Sequence, residues 1–313
     1  MSDRPGASAP QQQARRTARE VVKAYIALTK PRIIELLLVT TIPTMILAER
    51  GWPGTWLVLA TLIGGSAAAG AANTFNMIYD RDIDRVMQRT RKRPIPAGIV
   101  SVRGALIFGL TLAVASVLWF ALLVNLPSAL LTLTAIVLYA VGYTMILKRR
   151  TAQNIVWGGI AGCMPVLIGW SAVTGSLAVA PFVLFLVVFF WTPPHYWPLS
   201  MKFKGDYAAA GVPMLPVVSS DLVVARNILI HTFAMIACTL ALIPLADMSM
   251  FYTVVAIVAG ARFGWRTIDL YRHARHPDKG PLKAMRVFHE SITYLSLIFL
   301  AVALDPFVEK LLF

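Results

Sequence analysis

Asn76, Asp80 and Asp84 stand four residues apart in the run Asn76-Met77-Ile78-Tyr79-Asp80-Arg81-Asp82-Ile83-Asp84, and Arg89-Thr90-Arg91-Lys92-Arg93-Pro94 follows closely. On an α-helix each step of four advances only about 40°, so the three oxygen-bearing side chains share one face and Asp82 falls on roughly the opposite side. Hard oxygen ligands on one face suit Mg²⁺, which typically bridges a few carboxylates to substrate phosphates. A cluster of arginines suits the phosphates themselves. Arg89 and Arg93, also four apart, can fold back over the acidic face as phosphate clamps even where the helix ends before Pro94. The run closes a long apolar segment, and carboxylates at the mouth of a membrane helix are costly without a function. The simplest function is to hold a diphosphate-bearing lipid.

A second cluster spans Trp191-Thr192-Pro193-Pro194-His195-Tyr196-Trp197 and continues through Lys202, Lys204 and Asp206. Lys202 and Asp206 are four apart, so one more carboxylate and two more cations can face the first cluster. Pro193-Pro194 is expected to distort its helix just before His195 and turn the ring into a cavity. A structural kink, or an aromatic belt at the membrane surface, accounts for the same residues. His195 lies about two turns before Lys202 and Asp206, hence deeper than a diphosphate mouth. Its imidazole can ligate a metal centre or bond a carboxylate. His289, near the same face, is the other histidine with that potential; His231 reads as a core residue, and His273 and His276 as solvated. Tyr143 and Lys148 close another apolar segment, and Gln153 and Asn154 open the next on the same side. Glu35, one turn past Lys30-Pro31-Arg32, is expected to be held by one of those cations. Cys163 and Cys238 read as small buried hydrophobes, with no CxxC spacing for a metal or a disulfide.

The elements that must position these residues are membrane spans. The 313 residues are 58% hydrophobic and 14% charged, with mean hydropathy +0.68, whereas soluble domains carry about 25% charged residues. Apolar stretches near the ~20 residues that a span needs occur at 31–49, 54–78, 103–123, 127–147, 153–173, 179–200, 222–244, 248–270 and 288–309. Residues 1–24 are polar and read as a flexible cytoplasmic tail, with 25–313 as one transmembrane domain. With the N-terminus inside, all of the 29 Lys and Arg residues except Arg50 and Lys310 fall on the cytoplasmic side, a strong positive-inside signal. The net charge of +14 is therefore topological and does not point to nucleic acid.

Asn76-x₃-Asp80-x₃-Asp84 followed by Arg89-Thr90-x₂-Arg93-Pro94 resembles the first signature of the UbiA-type intramembrane prenyltransferases. Leu28-Thr29-Lys30-Pro31-Arg32, Asn73-Thr74-Phe75-Asn76, Tyr143-x₄-Lys148-Arg149, Trp191-Thr192-Pro193-Pro194-His195, and Asp206-Tyr207 through Pro216 resemble more closely the branch of that family that farnesylates haem. This likeness covers Leu28 to Pro216 and is weaker in the last quarter. It implies an all-α polytopic membrane protein of about nine helices, arranged in a ring around a central cavity with the active site at the cytoplasmic face of a bacterial inner membrane. It implies Mg²⁺ as cofactor, farnesyl diphosphate as donor and haem b as acceptor, the haem being substrate and not retained. The products would be haem O and diphosphate. Haem A synthase or terminal oxidase assembly proteins are the implied protein partners. Asn76, Asp80, Asp84, Lys202 and Asp206 would be catalytic, with Asp80, Asp84 and Asp206 as metal ligands. Asn73, Arg89, Arg93, Tyr143, Lys148, His195 and Lys204 would bind substrate.

One departure matters. The family's second DxxxD motif corresponds here to Lys202-x₃-Asp206, so a single Mg²⁺ on Asp80 and Asp84 is expected, with Lys202 supplying part of a second ion's charge. A family member acting on a quinone or chlorophyll-type acceptor stays open, although Pro193-Pro194-His195 and Lys202 speak against it. A small-solute transporter is the alternative of another class, but such proteins place polar groups near the midplane, and here they gather at one face. An odd number of spans requires opposite termini: reporter fusions at Met1 and Phe313 should report the cytoplasmic and external sides respectively, and a shared side would rule out nine spans.

Overall fold

The computed structural model describes residues 17–31 and 34–312, with no side-chain description for 34–38, 279 and 312. Arg32 and the Glu35 side chain, read above as a possible pair, lie outside the described residues, as does most of the N-terminal tail.

The described residues are all helical, without a strand. In chain order they form α1 (Ala18–Leu28), α2 (Ile34–Glu49), α3 (Thr55–Tyr79), α4 (Arg81–Val86), α5 (Val102–Leu123), α6 (Leu126–Val137, continued by a π-helix over Leu138–Leu147) and α7 (Asn154–Thr174). Next come α8 (Val179–Lys202), α9 (Lys204–Ala209), α10 (Leu215–Val218), α11 (Asp221–Leu245), α12 (Met250–Arg275) and α13 (Ala284–Leu312). The stretch read as tail to residue 24 is helical from Ala18, because Thr17 and Glu20 form a reciprocal capping box. Ser101, Asn125, Ser220 and Ser249 cap α5, α6, α11 and α12 through their side chains. Short polar caps of this kind satisfy the orphan N–H groups where each helix starts.

Seven of these helices are long and apolar enough to cross a membrane: α3, α5, α6 with its π continuation, α7, α8, α11 and α13. Two of the nine expected spans fall short by that measure. The apolar part of α2 that can be assessed is the short Val39–Glu49, and α12 carries Arg262 and Arg266 within its length. The chain is an integral membrane protein. Consecutive long helices pack on one another, and α13 returns to pack on α2 and α8. In its most apolar window α5 is only 17% buried, against 61% for α7, so α7 is an interior helix and α5 turns a flank of Leu106, Leu110, Val114, Leu118 and Leu122 outward. Exposed apolar side chains on that scale suit lipid contact.

Small residues set the close approaches. The face of α3 that contains Gly64, Gly70 and Ala71 meets α5; a Cβ at Gly64 would lie 2.7 Å from the Phe120 ring, which is wholly buried. Small residues at such crossings let backbones and rings pack where no hydrophobic force drives helices together in lipid. Gly64→Ala should therefore overpack the α3–α5 contact and cost about 1–3 kcal/mol, measured as a lowered melting temperature of the purified protein.

Candidate active site

The acidic face forms at the junction of α3 and α4. Asp80 caps α3, and backbone bonds from Asp80 N–H to Asn76 O (2.9 Å) and from Asp84 N–H to Asp80 O (2.8 Å) carry the helical register across. Asn76, Asp80 and Asp84 are consequently buried together, while the Asp82 side chain is 60% exposed. The helix is not continuous, yet the face persists.

Each acid meets a cation. Lys148 Nζ sits on Asp80 Oδ2, which also accepts from Asn76 Nδ2 (2.8 Å). Arg93 Nη1 donates to both oxygens of Asp84 (2.9 and 2.8 Å). Lys30 Nζ donates to Asn76 Oδ1 (2.7 Å). On the outer side, the Arg149 fork grips Asp82 (2.7 Å to each oxygen) and stacks over Tyr79. That pair holds Asp82 down to about 2 and pushes Arg149 up. Burial, and then repulsion from Arg93 and Lys148, holds the Lys30 ammonium well below the usual lysine range, against the pull of Asp80 and Asp84. Lys30, Arg89, Arg93 and Lys148 face the two buried acids Asp80 and Asp84, so the pocket is short of negative charge, as a site for a polyanion should be. Asp80 Oδ1 is buried and makes no hydrogen bond; Arg149 Nη2 faces it as an ion pair at 3.6 Å, so it can still take a closer cation. Among the described residues no three His, Cys, Asp or Glu side chains converge. Asp80 and Asp84 therefore fit a divalent ion only if substrate oxygens complete its shell, the usual Mg²⁺ arrangement.

A cavity of about 370 Å³ opens beside these groups. Lys30, Asn76, Asp84, Arg89, Arg93 and Lys148 form its polar part. Tyr139, Tyr143, Trp191, His195, Tyr196 and Tyr207 form an aromatic part. The π-helix builds one side of it. Its i→i+5 bonding is seen in Lys148 N–H to Tyr143 O (2.9 Å), and both Tyr143 and Lys148 line the cavity. π segments are commonly found at functional sites. Gly158 of α7 lets the Tyr143 ring lie on it: a Cβ there would be 2.2 Å from the ring. A narrower apolar hollow, about 140 Å³, is lined by Gly65, Ala68, Ala72, Ala135 and Pro165, and shares Tyr139 and Gly162 with the main cavity.

His195 lies on the face of α8 that also presents Val188, Trp191 and Thr192 to the cavity. Its ring is stacked between Trp191 (4.2 Å) and Phe288 of α13 (4.7 Å). Nδ1 meets Ser291 Oγ at 2.9 Å. The Ser291 hydroxyl proton is spent on Phe288 O (2.6 Å), so Nδ1 carries the imidazole proton and Nε2 keeps its lone pair. Pro193, Pro194 and Pro198 lie inside α8, which remains one helix from Val179 to Lys202, and helical periodicity directs the His195 ring into the cavity.

Several expected residues are placed elsewhere. Lys202 and Lys204 are exposed and line a separate cleft with Lys283 and Arg286, because they follow the buried face of α8 out to its end. Asp206 Oδ2 accepts from the Arg89 backbone (3.3 Å) and is not grouped with Asp80 and Asp84 in a three-acid site. Asn73 Nδ2 ties α3 to Thr29 O (3.1 Å) and lines the narrow hollow. His289 is exposed against Phe288. His231, on Trp197 and Asn227 O, is half-buried and not a full core residue, and Cys163 is buried on Gly159 O. Reading the sequence missed Lys30, Tyr139 and Tyr207 as lining residues, and Ser291. Tyr139 and Tyr143, four apart, carried a usable signal. Lys30 and Ser291 lie in stretches that carry the family likeness, but their partners lie 46 and 96 residues away, so nothing local showed what they would meet.

The UbiA prenyltransferase family matches residues 37–292. A protoheme IX farnesyltransferase of Streptomyces avermitilis is 60% identical over 289 residues, covering 92% of this chain and 95% of its own. One of Clavibacter sepedonicus is 56% identical over 285 residues, covering 91% and 92%. Among solved structures, one described for digeranylgeranylglyceryl phosphate synthase superposes with a TM-score of 0.75 at 16% identity, over 92% of this chain and 99% of the other. A UbiA homologue of Archaeoglobus fulgidus bound to GPP and Mg²⁺ gives 0.66 at 16% identity, over 90% and 99%. At such identities the structures speak to the fold.

The burial pattern makes a sharp distinction among the acids. Asp80→Asn and Asp84→Asn should each remove most prenyl transfer and blunt the response to Mg²⁺, whereas Asp82→Asn should be mild. Steady-state rates across a Mg²⁺ series check this, and equal losses at all three positions would contradict it.

Proposed function

The chain belongs to the UbiA prenyltransferase family, and on that premise we propose that it transfers the farnesyl group of farnesyl diphosphate to a vinyl group of haem b, giving haem O and diphosphate. Family membership sets aside the transporter alternative. The names of relatives at 55–60% identity favour haem over a quinone or chlorophyll-type acceptor. The observation in this chain that carries the reading is one cavity with two halves: an acid–cation cluster short of negative charge, and an aromatic chamber holding a histidine with a free Nε2.

The chemistry then divides among named residues. Lys30, Arg93 and Lys148, with Arg89 at the rim, meet the diphosphate oxygens. Arg93 and Lys148 exchange their carboxylate partners for the substrate. Asp80 and Asp84 would hold Mg²⁺, which when bound adds charge to stabilise the leaving diphosphate. The allylic C–O bond breaks with its electron pair going to diphosphate, and the positive charge left on the farnesyl group is a poor companion for water. Tyr139, Tyr143, Trp191 and Tyr196 line the space where that charge develops, and their π faces favour a cation. The narrow hollow shared through Tyr139 and Gly162 offers the isoprenoid an apolar continuation. The vinyl terminal carbon bonds to farnesyl C1, and water adds to the adjacent carbon with loss of a proton. His195, clamped by Trp191, Phe288 and Ser291, positions the acceptor through its iron or a carboxylate. This reading also takes the nine helices as spans in the bacterial cytoplasmic membrane, the N-terminus and the site on the cytoplasmic side and the C-terminus outside.

Purified protein supplied with farnesyl diphosphate, Mg²⁺ and haem b should yield a pigment heavier than haem b by one farnesyl and one hydroxyl group, and chelation should stop it. Absence of that pigment, with prenylation of a quinone precursor instead, would move the protein to another acceptor. His195→Ala should bind farnesyl diphosphate normally and lose at least about tenfold in haem turnover, roughly 1.4 kcal/mol of barrier. Normal turnover would remove His195 from acceptor positioning.

A further inference from the structure

Four cations gather outside the reaction cavity. Lys202 ends α8, Lys204 begins α9, and Lys283 and Arg286 flank the start of α13; they line a cleft of about 590 Å³. Asp221 is its one carboxylate. In the reaction cavity Arg93 and Lys148 are seated on carboxylates, whereas none of these four makes an ion pair among the described residues. Lys283 and Arg286 also stand at the N-terminal end of a 29-residue helix, where the macrodipole is positive and basic side chains are disfavoured unless an anion joins them. Pro198, Met201, Leu282 and Met285 give the same cleft an apolar part. A smaller hollow lined by Arg266, Asp269 and His273 of α12 again uses Lys283 and Arg286. The cleft backs onto the reaction cavity. Pro198 lies one turn beyond His195, and Met285 one turn before Phe288, whose ring stacks on His195.

We infer that this cleft is a second binding site, for the anionic end of an amphiphile at the membrane surface. Lys202, Lys204, Lys283 and Arg286 meet its carboxylate or phosphate oxygens, and Pro198, Met201, Leu282 and Met285 cover its apolar body. Charge together with an apolar part in one cleft, at the basic edge of the bundle, fits such a molecule better than a free inorganic anion. Two sources share the chemistry: the carboxylates of a porphyrin acceptor and the phosphate of an anionic phospholipid. Only the porphyrin source rests on the function proposed above.

The test uses the full chain in nanodiscs and the double variant Lys283→Gln/Arg286→Gln, both positions outside the reaction cavity. Haem b, its dimethyl ester and phosphatidylglycerol are the probes, with farnesyl diphosphate affinity as the control. A porphyrin source predicts about tenfold weaker haem b binding in the variant, the worth of one or two charged hydrogen bonds. The dimethyl ester should then bind equally weakly to both proteins. A phospholipid source predicts unchanged haem b binding and loss of retained phosphatidylglycerol in native mass spectra. Unchanged binding of both probes to a variant that melts normally would overturn the site. Should the double variant melt early, Lys204→Gln on the exposed turn of α9 gives the same comparison, with about a threefold effect expected; no effect there would overturn the site equally. A protein that fails to bind haem b at all would defeat the function reading and leave the phospholipid comparison to decide the cleft.

Discussion

Burial of Asp80 is the constraint on which the rest of this structure depends. A carboxylate withdrawn from water beside a membrane costs several kcal/mol unless charge and hydrogen bonds replace the lost solvent. Here one oxygen takes Lys148 and Asn76, and the other is left without a hydrogen bond. Satisfying the first oxygen brings the end of the π segment to the end of α3. Holding Asn76 in turn draws in Lys30 from the turn after α1. Three separate chain segments are thus fixed by one buried acid, whose second oxygen faces Arg149 at 3.6 Å.

The aromatic chamber follows from backbone devices more than from side-chain affinity. The π turn over Leu138–Leu147 carries Tyr143 and leads into Lys148, which line the aromatic and the charged half of the cavity. Gly158 removes the Cβ that would displace the Tyr143 ring. The three prolines of α8 leave carbonyls without their helical donors, but α8 stays helical because it is packed between α7, α11 and α13. His195 is then oriented by packing between two rings and one hydroxyl, a rigid mount suited to positioning a large planar substrate.

The charges divide by location. Inside the cavity Arg93 and Lys148 are seated on carboxylates and can exchange them when a polyanion arrives, while Lys30 and Arg89 meet the neutral Asn76 and Tyr207. Lys202, Lys204, Lys283 and Arg286 are exposed and make no ion pair among the described residues, so their charge is available for recognition.

The sequence alone determined the membrane class, the long helices and the acidic face. These follow from apolar run length, from basic residues concentrated on alternate loops, and from a spacing of four, all local properties that no distant contact can easily undo. The Asn76-Asp80-Asp84 face survived even though the helix breaks at Asp80, since the backbone bonds across the break keep the register. Which residues meet across the bundle was decided by the tertiary structure. Lys202 sits four residues from Asp206 and looked like a partner of the first cluster, yet the end of α8 sends it to another cleft. Lys30 looked like a partner for a neighbouring glutamate, yet it reaches Asn76. Ser291 had no visible role until α13 packed against α8 and set the tautomer of His195. Spacing along one helix fixes which side chains share a face; only the packing of helices fixes what that face meets.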